Sequence, residues 1–109
     1  MFALSVRQPY VELILRGEKV VEYRSRPTSI RGTVLLYAPK TADVKNDAYE
    51  SLGGDDLARG LAVGSVEVLD CQWSVKDDCY VYRLGNPKRF RTAYKPNGFP
   101  QPGFWKVYS

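Results

Sequence analysis

The sequence predicts an α+β fold that is mainly β: a small barrel of five or six short strands with two short helices, forming one domain over residues 1–109. Three observations carry this expectation. Short runs rich in β-branched and aromatic residues recur between Gly- and Pro-containing breaks, the pattern of an all-β barrel or sandwich. Two stretches carry helical spacing. The chain, with 109 residues, is the size of one compact domain, with no repeat, linker or composition shift.

Residues 2–6 (FALSV) open as a strand. Gln8-Pro9 starts a helix over 9–16, because proline suits a first helical position, and Val11, Leu13, Ile14 and Leu15 give it an apolar face. Gly17 stops it. Residues 20–24 read as a strand, interrupted by Pro27. After the Arg31-Gly32 turn, residues 33–38 (TVLLYA) are nearly continuous in apolar character, as in a strand buried on both faces, and Pro39 ends it. A second helix is expected from a cap at Thr41 or Asp43 to about Leu52, stopped by Gly53-Gly54, with a loop or single helical turn over 55–60. Residues 61–73 form the longest strand candidate. Simple alternation puts Ala62, Gly64, Val66 and Val68 on one face and Val63 and Ser65 on the other, and Gly64 marks a bulge or corner. Lys76-Asp77-Asp78 is a turn. Residues 79–84 return as a strand, broken at Asn86-Pro87 and resuming over 90–94, and residues 104–108 close the chain as a last strand.

The composition narrows the chemistry. The chain has no histidine, which removes the commonest general base and the commonest zinc ligand. Cys71 and Cys79 cannot make a four-thiolate zinc site. A disulfide between them on neighbouring strands is geometrically possible, while two small buried thiols is the preferred reading. No metal and no cofactor are expected. No apolar run approaches the roughly 20 residues that span a bilayer, and the N-terminus lacks the features of a signal peptide, so no membrane partner and a cytoplasmic location are expected.

Sixteen basic residues against twelve acidic ones give a net charge of +4, which favours anionic partners. Basic residues crowd the first third (Arg7, Arg16, Lys19, Arg24, Arg26, Arg31) and the last (Arg83, Lys88, Arg89, Arg91, Lys95), with acids in the middle, so a closed barrel would join the two groups into one patch. Lys19, Glu22, Arg24 and Arg26 fall within eight residues. In an extended strand Glu22, Arg24 and Arg26 share a face and Lys19 takes the other. A bend after Gly17 would swing Lys19 back toward Glu22. Lys19 and Glu22 then suit a pocket wall, the alternative being an exposed ion pair. Arg24, Arg26 and Arg31 suit bidentate phosphate contacts, and the Gln8 amide suits a base edge or a helix cap. Most of the aromatics, Tyr37 and Trp105 among them, are core candidates. Tyr94 and Phe99, in a basic Pro/Gly-rich region, are the candidates to stack on an unpaired base.

The segment 17–24 fits G-x-K-x-x-E-x-R. With LSVRQPY before it, IRG and an apolar strand after it, and then VGSVEVLDC, RLGNPKRF and GFW in order, it resembles the ASCH domain family, whose fold is a small barrel related to the PUA fold. The resemblance covers nearly the whole chain. It implies binding of RNA or a nucleotide-like ligand in a cleft lined by Gly17, Lys19, Glu22 and Arg24, flanked by Gln8 and Arg31. It also implies a rival. Some similar proteins are amidohydrolases that remove the acetyl group of acetylcytidine, using the motif lysine with a threonine three residues later and a distant glutamate. Here Lys19 matches the lysine and Glu22 stands in place of the threonine. Ribonuclease activity is a further enzymatic form of this rival, which Lys19 with a tyrosine or serine would support, though no spacing here shows that pair; if the chain is an enzyme, Lys19 and Glu22 are the candidate catalytic residues. A protein-interaction module is a third class, without a motif of its own here.

Overall fold

The computed structural model describes residues 1–108. Six strands and two short helices follow one another as β1 (Phe2–Ser5), α1 (Tyr10–Leu15), β2 (Val21–Arg24), β3 (Gly32–Ala38), α2 (Asp47–Leu52), a 3-10 turn (Gly54–Asp56), β4 (Leu61–Ser74), β5 (Cys79–Tyr94) and β6 (Phe104–Lys106). The strands form one curled sheet, a half-barrel, in the order β2-β5-β4-β3-β1-β6. All neighbours are antiparallel except β1 and β3, which run parallel because α1 and β2 lie between them in the chain. Side chains bridge the seam between the outer strands. Tyr82 of β5 stacks on Phe104 of β6 with ring centroids 5.8 Å apart, and Arg24 of β2 donates to the Ser5 carbonyl at 2.7 Å.

Both faces of the central strands are buried, as the apolar run in β3 predicts. Leu4, Val34, Leu36, Val66, Val68 and Leu84 pack with Val11 and Ile14 of α1, while Ala3, Leu35, Tyr37 and Trp105 form a second cluster. β4 departs from simple alternation. Against β3 its register slips between Leu36, opposite Gly64, and Tyr37, opposite Ala62, so Val63 is an extra residue of β4 and joins Val66 and Val68 in the main core rather than facing away from them. An extra residue in one strand of a pair reverses side-chain parity beyond it.

β5 also differs from expectation, because it runs unbroken through Asn86-Pro87. Between Gly85, opposite Glu67, and Lys88, opposite Ser65, the strand carries one residue more than its partner, and Asn86 takes φ 49 at this bulge. β2 pairs only with residues 80–83, so Pro87 meets no strand on that side that needs its missing N–H. The second helix starts later than predicted, capped by the Asn46 side chain, which accepts from the Ala48 N–H at 2.8 Å. Asp43 instead ties its loop to α1: it accepts from the Tyr10 hydroxyl at 2.5 Å, and its N–H donates to the Gln8 carbonyl.

Cys71 and Cys79 are free. They lie on neighbouring strands, but Cys71 faces Tyr82 while Cys79 faces Ser74, three positions further along. Three strand residues separate two points by about 10 Å and put their side chains on opposite faces, beyond the reach of a disulfide. Among the described residues no helix is long and apolar enough to cross a membrane.

A charged cleft at the open seam

The site begins with how α1 ends. The Glu18 N–H donates to the Leu13 carbonyl and the Gly17 N–H to that of Ile14, a Schellman stop, with Gly17 at φ 77 where a side chain would be strained. The Lys19 N–H also reaches the Leu13 carbonyl, which folds the segment back before β2 begins at Val21. This reversal brings the Lys19 ammonium to 3.2 Å from Glu22 Oε1 and 2.6 Å from the Val21 carbonyl, over the Tyr23 ring. Glu22 is buried at 7% exposure, and its second oxygen accepts from Arg24 at 3.0 Å. The carboxylate therefore holds one cation on each oxygen.

Arg24 connects this pair to the far side of the seam. Its bond to the Ser5 carbonyl reaches the end of β1, where the Ser5 hydroxyl accepts from the Trp105 indole at 2.9 Å and donates to the Gln101 carbonyl at 2.7 Å. The Ser5 N–H donates to the Gly103 carbonyl, so the Pro100–Gly103 loop is held against β1 at two points.

Around this network opens a cleft of about 650 Å³. Lys19, Glu22, Tyr23 and Arg24 line it from β2 and the turn before it, and Pro100 to Gly103 line it from the loop before β6. Ser5, Val6 and Tyr37 lie at the carboxyl ends of the parallel strands, and Arg7, Tyr10, Pro39, Lys40 and Thr41 complete the lining. Four cations and one carboxylate line it.

The structure gathers Lys19, Glu22 and Arg24 here and leaves the other sequence candidates elsewhere. Gln8 is 1% exposed, and its amide donates to the Ala58 carbonyl rather than capping α1 or reaching the cleft. Arg26 is exposed, with its carbonyl accepting from the Tyr82 hydroxyl. Arg31 folds onto the Thr28 and Ile30 carbonyls. Tyr94 packs beside Phe90, and Phe99 beside Tyr108. Of the wider basic set, Arg83 pairs with Asp70.

Arg16 and Arg89 converge on Glu12, a buried carboxylate not anticipated as a site residue. Arg89 donates to both Glu12 oxygens, at 2.9 and 2.7 Å, and Arg16 to one of them at 2.7 Å. Burial pushes the Glu12 carboxyl up, but the two guanidiniums outweigh it and hold it below the ordinary carboxylate value. The hydrogen bonds to Glu12 push Arg89 up.

Lys40, Ser5 and Tyr37 are cleft residues that sequence reasoning did not single out, and Arg7 entered it only as a member of the N-terminal basic group. Their signal was position alone: each lies at or just beyond the carboxyl end of a strand of the parallel pair.

The fold and this seam define a small half-barrel domain with a charged cleft. The chain belongs to the ASCH domain family, whose model matches residues 4–99. It is similar to human Activating signal cointegrator 1, 29% identical over an alignment 132 positions long that takes in 99% of this chain, and to the mouse protein of that name at 27%. The chain spans 22% of the length of these relatives. Its fold matches crystal structures of ASCH from Zymomonas mobilis. A serine-to-alanine variant superimposes with a TM-score of 0.64 at 14% identity, covering 95% of this chain and 85% of that one. A second structure gives 0.56 at 14% identity, over 86% and 72%.

Proposed function

We propose that the chain binds RNA, or a nucleotide-like piece of it, in this cleft. The observation that carries the reading is the lining: Arg7, Lys19, Arg24 and Lys40 beside the rings of Tyr10 and Tyr23, with Glu22 holding two of the cations in place. Cations neutralise phosphates and rings stack on bases. Membership of a family for which RNA association is proposed supports it.

Arg7 and Lys40 are exposed, and Arg7 makes a 3.9 Å pair with Asp43 and lies over the Tyr10 ring at 5.7 Å. Replacing both with alanine is expected to leave melting near that of the unaltered protein, since surface pairs contribute at most about 1 kcal/mol. The same change should lower the slope of log affinity against log salt by about 1.4, roughly 0.7 per lost phosphate contact to a single strand. An unchanged slope would remove these residues from the interface.

A hydrolytic use of the cleft is favoured by one fact, the contact of Lys19 with Glu22 at its wall. Lys19→Arg separates the two. A binding site keeps part of its RNA affinity because a cation remains, whereas an enzyme needing a neutral lysine loses turnover, because guanidinium stays protonated. The expected result is partial retention of binding and no turnover of acetylcytidine or RNA by either protein; turnover by the unaltered protein that the variant lacks would establish the enzyme.

A further inference from the structure

We infer that the Tyr37 hydroxyl is the contact that makes the cleft select an unpaired nucleotide, by hydrogen bonding to the polar edge of its base; this rests on the RNA reading above. Tyr37 is 6% exposed, and its ring meets Trp105 edge-on at 5.2 Å. It also lines the cleft, beside Ser5, its partner across the parallel pair.

Phenols removed from water usually find a partner. Three others in this chain do: Tyr10 donates to Asp43, Tyr49 to Asp55, and Tyr82 to the Arg26 carbonyl. Among the described residues the Tyr37 hydroxyl makes no hydrogen bond to protein. The hydroxyl is not sealed from solvent, because among the described residues the fully buried side-chain polar atom without a partner is Gln8 Oε1, so the Tyr37 hydroxyl stays open to the cleft and free for a ligand.

The chemistry of the lining indicates which part of a nucleotide comes to it. The exposed cations Arg7 and Lys40 sit at the rim, where a phosphate keeps much of its hydration. Tyr37 is much more buried, and its ring and that of Trp105 give apolar surface there, with Ser5 and Val6 beside them in the lining. A base has apolar faces and a polar edge, so it suits the floor while its phosphate remains at the rim. A volume of about 650 Å³ fits one such unit. A hydroxyl both donates and accepts, so every base supplies a partner. The discrimination is then between unpaired and paired bases, because a base held in a duplex cannot descend to this depth.

Tyr37→Phe removes one oxygen and keeps the ring against Trp105. The variant is expected to melt with the unaltered protein, having lost no internal hydrogen bond. Its affinity for a short single-stranded oligoribonucleotide should fall about two- to tenfold, the effect of one neutral hydrogen bond. The salt slope should stay the same because no charge is lost, and affinity for the duplex of the same sequence should not change. Unchanged single-strand affinity, an equal loss on both probes, or a markedly lower melting temperature would each overturn the inference while leaving RNA binding intact. Failure of the unaltered protein to bind either probe would overturn the RNA reading itself, and the inference with it.

Discussion

Gly64→Ala is expected to lower stability by about 3 kcal/mol, the upper range for forcing atoms into a packed core, and melting by roughly 10–20 °C for a domain of this size. Gly64 sits at the β4 bulge, opposite Leu36 on one side and Arg89 on the other. A Cβ there would collide with the Lys88 carbonyl oxygen and lie 2.6 Å from Leu15 Cδ2. The carbonyl belongs to the β5 backbone and cannot swing away as a side chain tip could. Leu15 is the last residue of α1, and the turn that places Lys19 follows directly, so relief in that direction would disturb the cleft. Gly17→Ala is the control. Nothing lies within 4 Å of its Cβ position, so its effect is confined to the left-handed backbone, about 1–2 kcal/mol. Thermal melts of the two variants decide it: a Gly64→Ala protein no less stable than Gly17→Ala would show that β4 and β5 can part without loss.

Local patterns made most of the fold legible, and the departures within β4 and β5 share one cause. Strand runs, the stop at Gly17 and the doubly buried β3 all follow from residues close together in the chain. Val63 and Pro87 depart from the local pattern because a bulge is a property of two paired strands, and one strand's sequence does not show where it slips against its partner. Asn86-Pro87 reads as a break in isolation; beyond the end of β2 it is compatible with a strand. The cysteine geometry depended on the same hairpin register.

The candidate site divides in the same way. Lys19, Glu22 and Arg24 lie within six residues, and the helix stop before them already implied the reversal that brings the first two together. Arg7, Lys40 and Tyr37 belong to the cleft only because β1 and β3 run side by side, a long-range pairing that no spacing in the sequence reports. Charge counting overstated the basic patch, since Arg16 and Arg89 neutralise Glu12, and Arg83 neutralises Asp70. No motif or spacing in the sequence marks Glu12 out. Its burial depends on β5, which reaches it from 77 residues away.

That pairing leads to the second large effect. Arg89→Ala is expected to destabilise the protein by about 1–3 kcal/mol at pH 7, the range for leaving a charged group without its hydrogen bonds. Glu12 is 6% exposed and would keep only Arg16. The higher losses seen for fully buried pairs do not apply, because the Arg89 side chain is about half exposed. The pH dependence carries the sign. In the unaltered protein Glu12 is held below its ordinary value, so its contribution to stability is present above the unfolded pKa and is lost as pH falls through the folded one. Without Arg89, burial faces less opposition and the folded carboxyl titrates higher, so protonation relieves the variant. The gap between the two proteins should be widest near neutral pH and close as the solution is acidified below the carboxylate range. Replacing both partners, Glu12→Leu with Arg89→Leu, should recover much of the loss, because no buried charge is then stranded. Urea unfolding of the three proteins at neutral and acidic pH measures this. A gap that did not change with pH would mean that Arg89 acts through packing, and that the Glu12 charge contributes nothing to seating α1 against β5.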